Sequence, residues 1–244
     1  MHILLTGGTG RLGRAIQAAF VQGAGSLMAP PRTVLDVTNE VECFAVVHQL
    51  APTIVIHCAA YTNSLVAETT KRNYCWKVNV EGTRNMVRAA RGRRFVLIST
   101  DYVFSGRDCP AGGYREDSKA EPVNHYGLTK LAAEWEVRTA PATGNHLILR
   151  APFRVRPWPY RKAFQDQYTS CIWAEERAQQ ILRMALREDV VGLWHMGGER
   201  RSIFEMARSA RPDVNPISIR ELDGLELPAD TTLNDNLWRS LSEA

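Results

Sequence analysis

The stretch that decides the fold is the start of the chain, where the apolar run His2-Ile3-Leu4-Leu5-Thr6 leads directly into Gly7-Gly8-Thr9-Gly10-Arg11-Leu12-Gly13. Its glycines have the spacing G-x-x-G-x-x-G between a predicted strand and a helix predicted over residues 12–22. Glycines at this spacing let the backbone turn tightly and approach a pyrophosphate, and the helix N-terminus points free N–H groups and its positive dipole end at that anion. The stretch therefore predicts dinucleotide binding, with an ordinary strand-to-helix turn as the alternative.

Strand and helix patterns alternate along the first 150 residues. Further short apolar runs, typical of buried parallel strands, occupy residues 26–29, 53–58, 95–99 and 146–150. Between them, segment 76–90 is a predicted helix with one face made of Trp76, Val80, Thr83, Val87 and Ala90. This repetition predicts an α/β fold, namely a Rossmann-type doubly wound parallel sheet with helices on both faces.

The residues after the second predicted strand bear on the choice of dinucleotide. An acidic residue at the end of that strand would hydrogen-bond the ribose diol of NAD, but Pro30-Pro31-Arg32 follows instead. Arg32 could meet a 2′-phosphate, which favours NADP and leaves NAD as the alternative. Asp36 is either a turn or helix-cap residue or an adenine contact, and the pattern does not separate these two interpretations.

The alternation of predicted strands and helices ends after residue 150. Segment 151–160 contains three prolines and no clear period, and segment 174–186 is again helical, with one predicted face made of Ala174, Ala178, Ile181, Leu182, Ala185 and Leu186. We predict an NADP-binding Rossmann domain over residues 1–150. Residues 151–244 are predicted to form a small, trimmed C-terminal substrate-binding lobe that partly packs back on the first domain.

Composition excludes several classes of protein. The 244 residues are 45% hydrophobic and 23% charged, as in globular proteins and unlike disordered or fibrous ones. The net charge of +4 is mild and scattered, so we expect no nucleic-acid partner. No apolar run approaches 18 residues, and no signal peptide is predicted. The five cysteines lack C-x-x-C spacing, so reduced thiols, a cytoplasmic protein and no metal site are expected.

A second motif, Tyr126-Gly127-Leu128-Thr129-Lys130, has the spacing Y-x-x-x-K. Residues four apart share a helical face, so the ammonium of Lys130 is expected to lower the pKa of the Tyr126 phenol. Such a phenol is a candidate acid or base for interconverting a carbonyl and an alcohol. Thr100, at the end of a predicted central strand, could hydrogen-bond the reacting oxygen.

Several of these stretches together resemble one family, the dTDP-4-dehydrorhamnose reductases, which are extended short-chain dehydrogenase/reductases. The matching stretches are S-T-D-Y-V-F-S-G from Ser99, A-A-Y-T from Ala59, Val78-Asn79, E-P-V-N-x-Y-G-x-T-K-L-A-x-E from Glu121, Leu149-Arg150 and Asp166-Gln167-Tyr168-Thr169-Ser170. The resemblance implies NAD(P)H-dependent reduction of the C4 ketone of a nucleotide-linked 4-keto-6-deoxyhexose. A homodimer would be compatible with it.

The resemblance also implies roles for individual residues. Tyr126 would donate the proton, Lys130 would lower the phenol pKa and hold the nicotinamide ribose, and Thr100 would orient the carbonyl. The implied cofactor-binding residues are Gly7, Thr9, Gly10, Arg11, Leu12, Gly13, Arg32, Asp36, Val37, Cys58, Ala59, Ala60, Tyr61, Asn79, Tyr126 and Lys130. The implied substrate residues are Asp101, Tyr102, Phe104 and Phe153, the last in place of a tryptophan.

Two other functions stay open. The β subunit of methionine adenosyltransferase resembles the same family, so a non-catalytic NADP-binding regulatory subunit is one alternative. A sugar-nucleotide C4 epimerase, which uses the same Tyr/Lys pair, is the other. Dehydration is disfavoured because Tyr102 stands where related dehydratases carry a glutamate. Two histidines lie next to the matching stretches. We interpret His57 as a buried strand-end residue and His125 as a surface residue.

Overall fold

The computed structural model describes residues 1–20, 25–140 and 145–242. Its strands are β1 (His2–Thr6), β2 (Ser26–Met28), β3 (Ile54–His57), β4 (Arg94–Ser99), β5 (His146–Arg150), β6 (Phe153–Arg154), β7 (Lys162–Phe164), β8 (Tyr168–Thr169), β9 (Ile172–Trp173), β10 (Gly192–His195), β11 (Arg201–Ser202) and β12 (Asn215–Ile217). Its α-helices are α1 (Arg11–Ala19), α2 (Glu40–Leu50), α3 (Ser64–Thr69), α4 (Arg72–Trp76), α5 (Gly82–Ala89), α6 (His125–Thr139), α7 (Ala174–Leu186), α8 (Ile203–Ala210) and α9 (Asn236–Ser242).

Six strands form the central sheet in the order β10-β5-β4-β3-β1-β2, and every pairing in it is parallel. Alternate side chains of β1 enter different cores: Ile3 lies in the core under α1 and α7, and Leu4 in the core under α2, α5 and α6. Helices therefore cover both faces of the sheet. The predicted Rossmann-type doubly wound fold is confirmed.

The predicted helix over residues 76–90 is interrupted. It consists of the end of α4, a π-helical turn over Lys77–Glu81, and α5. Trp76 is 36% exposed, so its predicted place on the buried face is wrong. A π-helical turn holds more residues than an α-helical turn, and this shifts Trp76 off the face that Val80, Thr83, Val87 and Ala90 bury.

The other two predicted helices are present in the structure, and each differs from its prediction only at terminal residues. The first predicted helix, residues 12–22, corresponds to α1, which ends at Ala19, and residues 21 and 22 lie outside the described part of the chain. Helix α7 has the predicted bounds, but Leu186 is 41% exposed and does not belong to the buried face. Strand β10 was not predicted, since four residues without a clear pattern give little signal.

Residues after 150 contribute to two regions. Helix α7 and strand β10 join the central sheet and its core. Helix α9 packs against β10. The other elements after residue 150 form three two-stranded pairs, β6–β9, β7–β12 and β8–β11, together with α8. A smaller core there contains Trp158, Cys171, Trp173, Ile203 and Met206. The boundary at residue 150 stays a prediction. No helix of the described residues is long and apolar enough to cross a membrane.

The buried guanidinium of Arg94 joins the sheet to the end of α7. It donates to the carbonyls of Ala185 at 2.7 Å, Met184 at 3.1 Å, Arg187 at 2.7 Å and Val190 at 2.8 Å. The last carbonyls of a helix have no partner within the helix, so Arg94 caps α7 from the neighbouring strand.

We expect Arg94→Met to lower the free energy of unfolding by about 2–4 kcal/mol, because several buried carbonyls would lose their donor. Urea denaturation measures the change. The control is Arg91→Met at an exposed position of the preceding turn, with an expected change within about 0.5 kcal/mol. Equal stability of the two variants would contradict the capping role of Arg94.

Candidate active site

The loop between β1 and α1 is built for close approach of a ligand. Gly7 has a positive φ of 69°, and a Cβ there would lie 2.7 Å from the nitrogen of Ala59. A Cβ on Gly13 would lie 2.2 Å from the Gly7 carbonyl oxygen. Helix α1 begins after Gly10, and no side chain caps its first N–H groups. This uncapped cradle fits the pyrophosphate of a dinucleotide.

A cleft of about 270 Å³ opens beside the loop. Ten of the predicted cofactor residues line it: Gly7, Thr9, Gly10, Arg32, Asp36, Val37, Cys58, Ala59, Ala60 and Tyr61. Sequence reasoning missed six lining residues: Thr6, Gly8, Pro30, Leu35, Tyr74 and Val78. Arg11, Leu12 and Gly13 form the first turn of α1 beside the cleft.

Arg32 and Asp36 form an ion pair at the wall of this cleft. The Arg32 Nε and Nη2 atoms donate to Asp36 Oδ2 at 3.0 and 2.8 Å. Asp36 Oδ1 accepts from both the backbone nitrogen and the hydroxyl of Thr38, at 3.0 and 2.9 Å. Asp36 is therefore a turn residue that also lines the cleft, and its interpretation as an adenine contact stays a prediction.

Asn79 fixes the loop that follows β3. Its Oδ1 accepts from the Tyr61 backbone nitrogen at 2.7 Å, and its Nδ2 donates to the Tyr61 carbonyl at 3.1 Å and to Thr129 Oγ1 at 2.9 Å. Asn79 is 1% exposed, and these partners occupy its amide. In this structure it contacts the loop that lines the cleft and does not line the cleft itself.

His57 and His125 both lie close to the predicted site residues. Only His57 has the environment that we predicted. His57, at the end of β3, is buried and bonds the hydroxyls of Thr6 at 2.8 Å and Thr83 at 3.1 Å, as interpreted. The interpretation of His125 as a surface residue is wrong. It is 9% exposed, and its ring nitrogen Nε2 contacts the Arg72 carbonyl at 3.0 Å. Tertiary packing of α4 against α6 covers it.

Thr100, Tyr126 and Lys130 come together at the carboxyl edge of the sheet. Thr100 directly follows β4 and caps the 3-10 turn Asp101–Val103, accepting from the Tyr102 nitrogen at 3.2 Å. Gly127 lets α6 approach this turn, because a Cβ there would lie 2.2 Å from the Tyr102 carbonyl oxygen. As a result, the rings of Tyr102 and Tyr126 meet edge to face, with centroids 6.0 Å apart.

The electrostatics of the pair differ from the expectation. Burial lowers the pKa of Lys130 to about 8, and its Nζ donates to the Ile98 carbonyl at 2.7 Å. Burial raises the pKa of Tyr126, and a hydrogen bond with Thr100 opposes this only in part. The expected lowering of the phenol pKa by Lys130 is therefore wrong for this structure. A phenol with a raised pKa keeps its proton at neutral pH.

The predicted substrate residues lie in different surroundings. Asp101 is buried and accepts from the hydroxyls of Thr169 at 2.9 Å and Thr231 at 2.6 Å, which joins β4 to the C-terminal part. Phe153 lies half-buried on β6. The prediction for Phe104 is wrong, because this side chain is fully buried and stacks on Tyr114 with centroids 4.1 Å apart.

Sequence reasoning missed three features near Tyr102 and Tyr126. Gln167 donates to the Tyr102 hydroxyl at 3.0 Å, and the guanidinium of Arg154 lies beside the same hydroxyl. Glu134, one turn beyond Lys130, forms a buried ion pair with Arg150 at 2.8 Å. Gln167, Glu134 and Arg150 do lie in stretches that carry the family resemblance, but no role was predicted for them. No group of three potential metal ligands occurs within residues 1–20, 25–140 and 145–242.

Burial of Lys130 has a consequence for stability. Between pH 8 and 10.5 the unfolded chain holds a proton that the folded protein has released, so this group makes stability rise with pH across that window. Below pH 8 its unfavourable contribution is present in full, on the order of 3 kcal/mol.

The unfolding free energy of Lys130→Met relative to that of the parent is therefore expected to be highest below pH 8. This relative stability should decrease progressively towards pH 10.5. Urea denaturation at several pH values measures the difference in unfolding free energy between the two proteins. Lys77→Met, at an exposed position, is the control. A difference between Lys130→Met and parent that stays constant across this window would contradict the assignment.

The fold and site define a class of protein. Gly7, the Ala59–Tyr61 loop and Thr100 all lie at the carboxyl ends of neighbouring parallel strands, where Rossmann folds bind their ligands. The chain is thus a Rossmann-type dinucleotide-binding protein. Residues 1–154 match the family described as RmlD substrate binding domain, and the chain belongs to that family.

Individual relatives agree with this assignment. A dTDP-4-keto-6-deoxy-D-glucose reductase of Streptomyces niveus is 32% identical over 262 residues, covering 97% of this chain and 89% of the relative. The methionine adenosyltransferase 2 subunit beta of Xenopus laevis is 36% identical over 140 residues, covering 54% of this chain and 41% of that protein. The crystal structure of dTDP-4-dehydrorhamnose reductase from Bacillus anthracis in complex with NADP has a TM-score of 0.89 and 26% identity, covering 98% of this chain and 92% of that one. The predicted resemblance to the dTDP-4-dehydrorhamnose reductases is confirmed.

Proposed function

We propose that the protein is an NADPH-dependent reductase of the C4 ketone of a nucleotide-linked 4-keto-6-deoxyhexose. The observation that carries the proposal is the convergence of Thr100, Tyr126 and Lys130 beside a dinucleotide cradle. Lys130 lies close enough to Cys58, a residue of the cofactor cleft, for each to influence the other electrostatically. Named relatives that reduce such sugars support the substrate class.

In this proposal each residue has a defined task. The bound dinucleotide supplies the hydride. Tyr126 gives its phenolic proton to the substrate oxygen, and the raised pKa keeps that proton in place until the oxygen becomes basic. Thr100 holds the phenol and the carbonyl oxygen in line. The ammonium of Lys130 is anchored on the Ile98 carbonyl. It offsets the negative charge of the Tyr126 phenolate when that forms.

NADP is proposed over NAD because of Arg32. Its side chain is 62% exposed at the cleft wall. There the guanidinium could bind a 2′-phosphate in addition to Asp36. We expect Arg32→Gln to raise the KM for NADPH by about tenfold and to change the KM for NADH much less. Arg14→Gln, on an exposed position of α1, is the charge-matched control. Equal effects on both cofactors would contradict a phosphate contact.

The activity itself is tested with dTDP-4-keto-6-deoxyglucose and NADPH. We expect absorbance of the reduced cofactor to fall in proportion to substrate and the product to be a 6-deoxyhexose nucleotide. Chromatography of the product separates reduction from C4 epimerisation, which would consume no cofactor. Absence of cofactor consumption with several nucleotide-linked keto sugars would refute the proposal.

A non-catalytic regulatory subunit is the second candidate, favoured by the 36% identity to methionine adenosyltransferase 2 subunit beta over 54% of this chain. It predicts tight NADP binding without turnover, together with co-purification of a catalytic partner in a stoichiometric complex. The reductase proposal predicts turnover by the isolated chain. The same purified sample can therefore decide between the two.

A further inference from the structure

Tyr74 contacts the arginine to which the proposed function assigns the 2′-phosphate. Tyr74 lies on α4 and Arg32 in the loop after β2, 42 residues away, and both side chains line the cofactor cleft. The Arg32 Nη1 atom donates to the Tyr74 hydroxyl, and the Arg32 Cζ atom lies 5.7 Å from the centroid of the Tyr74 ring. Tyr74 therefore joins two parts of the cleft wall that belong to different elements of the fold.

The ring of Tyr74 is itself held in place. It meets the ring of Tyr61 edge to face, with centroids 5.5 Å apart and an interplanar angle of 86°. Tyr61 is fixed through its backbone, because the Asn79 side chain accepts from its nitrogen at 2.7 Å and donates to its carbonyl at 3.1 Å. The position of the Tyr74 hydroxyl is thus set both by α4 and by the loop after β3.

The two partners of Arg32 leave part of its guanidinium free. A guanidinium has five N–H groups. Asp36 Oδ2 accepts from Nε and Nη2, and the Tyr74 hydroxyl accepts from Nη1. One N–H group on Nη1 and one on Nη2 remain, and no acceptor for either is found in the described part of the chain. Two such groups on a planar guanidinium match two oxygens of a phosphate.

Holding Arg32 before the cofactor binds has an energetic consequence. A free arginine side chain has about 2 kcal/mol of rotamer entropy to lose. The Arg32 side chain is 62% exposed, so packing alone does not restrict it. Asp36 fixes one edge of the guanidinium, but a carboxylate also repels a phosphate that binds nearby. The Tyr74 hydroxyl fixes Nη1 without adding a negative charge, so it lowers the ordering cost with no opposing repulsion.

We propose that Tyr74 is a cofactor-specificity residue, which holds the Arg32 guanidinium in place for the 2′-phosphate of NADP. The inference rests on the proposed function, since that function assigns the phosphate to Arg32. Tyr74 acts through Arg32 and is therefore a positioning residue. Its effect should be confined to the dinucleotide that carries the phosphate, and NAD, which lacks only that group, is the comparison ligand.

The test is the equilibrium binding of NADP and of NAD to the full chain by calorimetry, at one salt concentration because salt screens exposed charges. The variants are Tyr74→Phe, which keeps the ring and removes the hydroxyl, Arg32→Gln, and the two combined. The control is Tyr160→Phe, which removes the same atom from an exposed ring that does not line the cleft. Thermal unfolding verifies that each variant is folded.

We expect Tyr74→Phe to weaken NADP binding by about three- to tenfold and NAD binding by less than about twofold. In the Arg32→Gln background the same change should have much less effect on NADP binding, because the side chain that Tyr74 positions is absent. Tyr160→Phe should change neither affinity.

An unchanged ratio of the two affinities in Tyr74→Phe would overturn the role of Tyr74, and so would tighter NADP binding, since the hydroxyl would then compete with the phosphate. An equal loss in both backgrounds would overturn it as well, because Tyr74 would not act through Arg32. A preference for NADP that is absent from the parent, or that survives Arg32→Gln, would refute the phosphate contact of the proposed function itself. None of these measurements needs turnover, so failure of the proposed reduction would leave them unaffected.

Discussion

Replacing Tyr126 with phenylalanine is expected to lower kcat with a 4-keto-6-deoxyhexose nucleotide by about 10²–10⁴-fold, because the proton donor is removed. The ring of Tyr126 packs edge to face on Tyr102, and phenylalanine preserves that packing. Binding of NADPH should stay within a factor of two or so of the parent, since the phosphate loop and Arg32 are untouched. Stopped-flow measurement of cofactor oxidation gives the rate, and fluorescence titration gives the cofactor affinity.

The matched control is Tyr102→Phe, which removes the same atom from the ring next to Tyr126. Tyr102 bonds Gln167 and lies beside Arg154, in the region where we propose that the substrate binds. Its removal should therefore act mainly on KM. A kcat for Tyr126→Phe within tenfold of the parent would mean that another group supplies the proton. A similar kcat loss in both variants would mean that packing of the two rings, and not the phenol proton, sets the rate.

The features that could be predicted from the sequence are those that local backbone geometry determines. The phosphate loop follows from its glycines, because a Cβ on Gly13 would meet the Gly7 carbonyl oxygen at 2.2 Å. The Tyr126 and Lys130 pair follows from helical spacing. In both cases the signal lies within a few residues of chain, and the structure places these residues as the spacing implies.

What could not be predicted depends on contacts between distant parts of the chain. Gln167 reaches Tyr102 across 65 residues, and Arg154 approaches it only because β6 pairs with β9. Phe104 follows the active-site strand end, and its burial against Tyr114 could not be read from that position. The phenol pKa depends on how deeply Tyr126 is buried, which the Lys130 spacing does not report.

The buried ion pair behind the site decides how rigidly α6 is held. Glu134 accepts from Arg150 through both oxygens, at 2.9 and 2.8 Å, and from the Ser99 hydroxyl at 2.6 Å. Arg150 in turn contacts His195 Nε2 at 3.2 Å, and His195 Nδ1 bonds the Tyr114 carbonyl at 2.9 Å. Burial and the charge of Arg150 lower the pKa of His195 to about 3, so it is neutral and accepts from Arg150. The network joins α6, β5 and β10.

Removing one partner of this pair is expected to cost about 3–5 kcal/mol of unfolding free energy, because the other charge stays buried and loses its main partner. Glu134→Leu and Arg150→Met are the single variants, measured by urea denaturation. The double variant should be more stable than either single variant, since an apolar pair of similar volume removes both desolvation penalties. If the double variant loses the sum of the two single losses, Glu134 and Arg150 do not act as a pair. Because Glu134 lies one turn beyond Lys130 and its charge raises the pKa of that lysine, Glu134→Leu should also lower the pH at which Lys130 releases its proton.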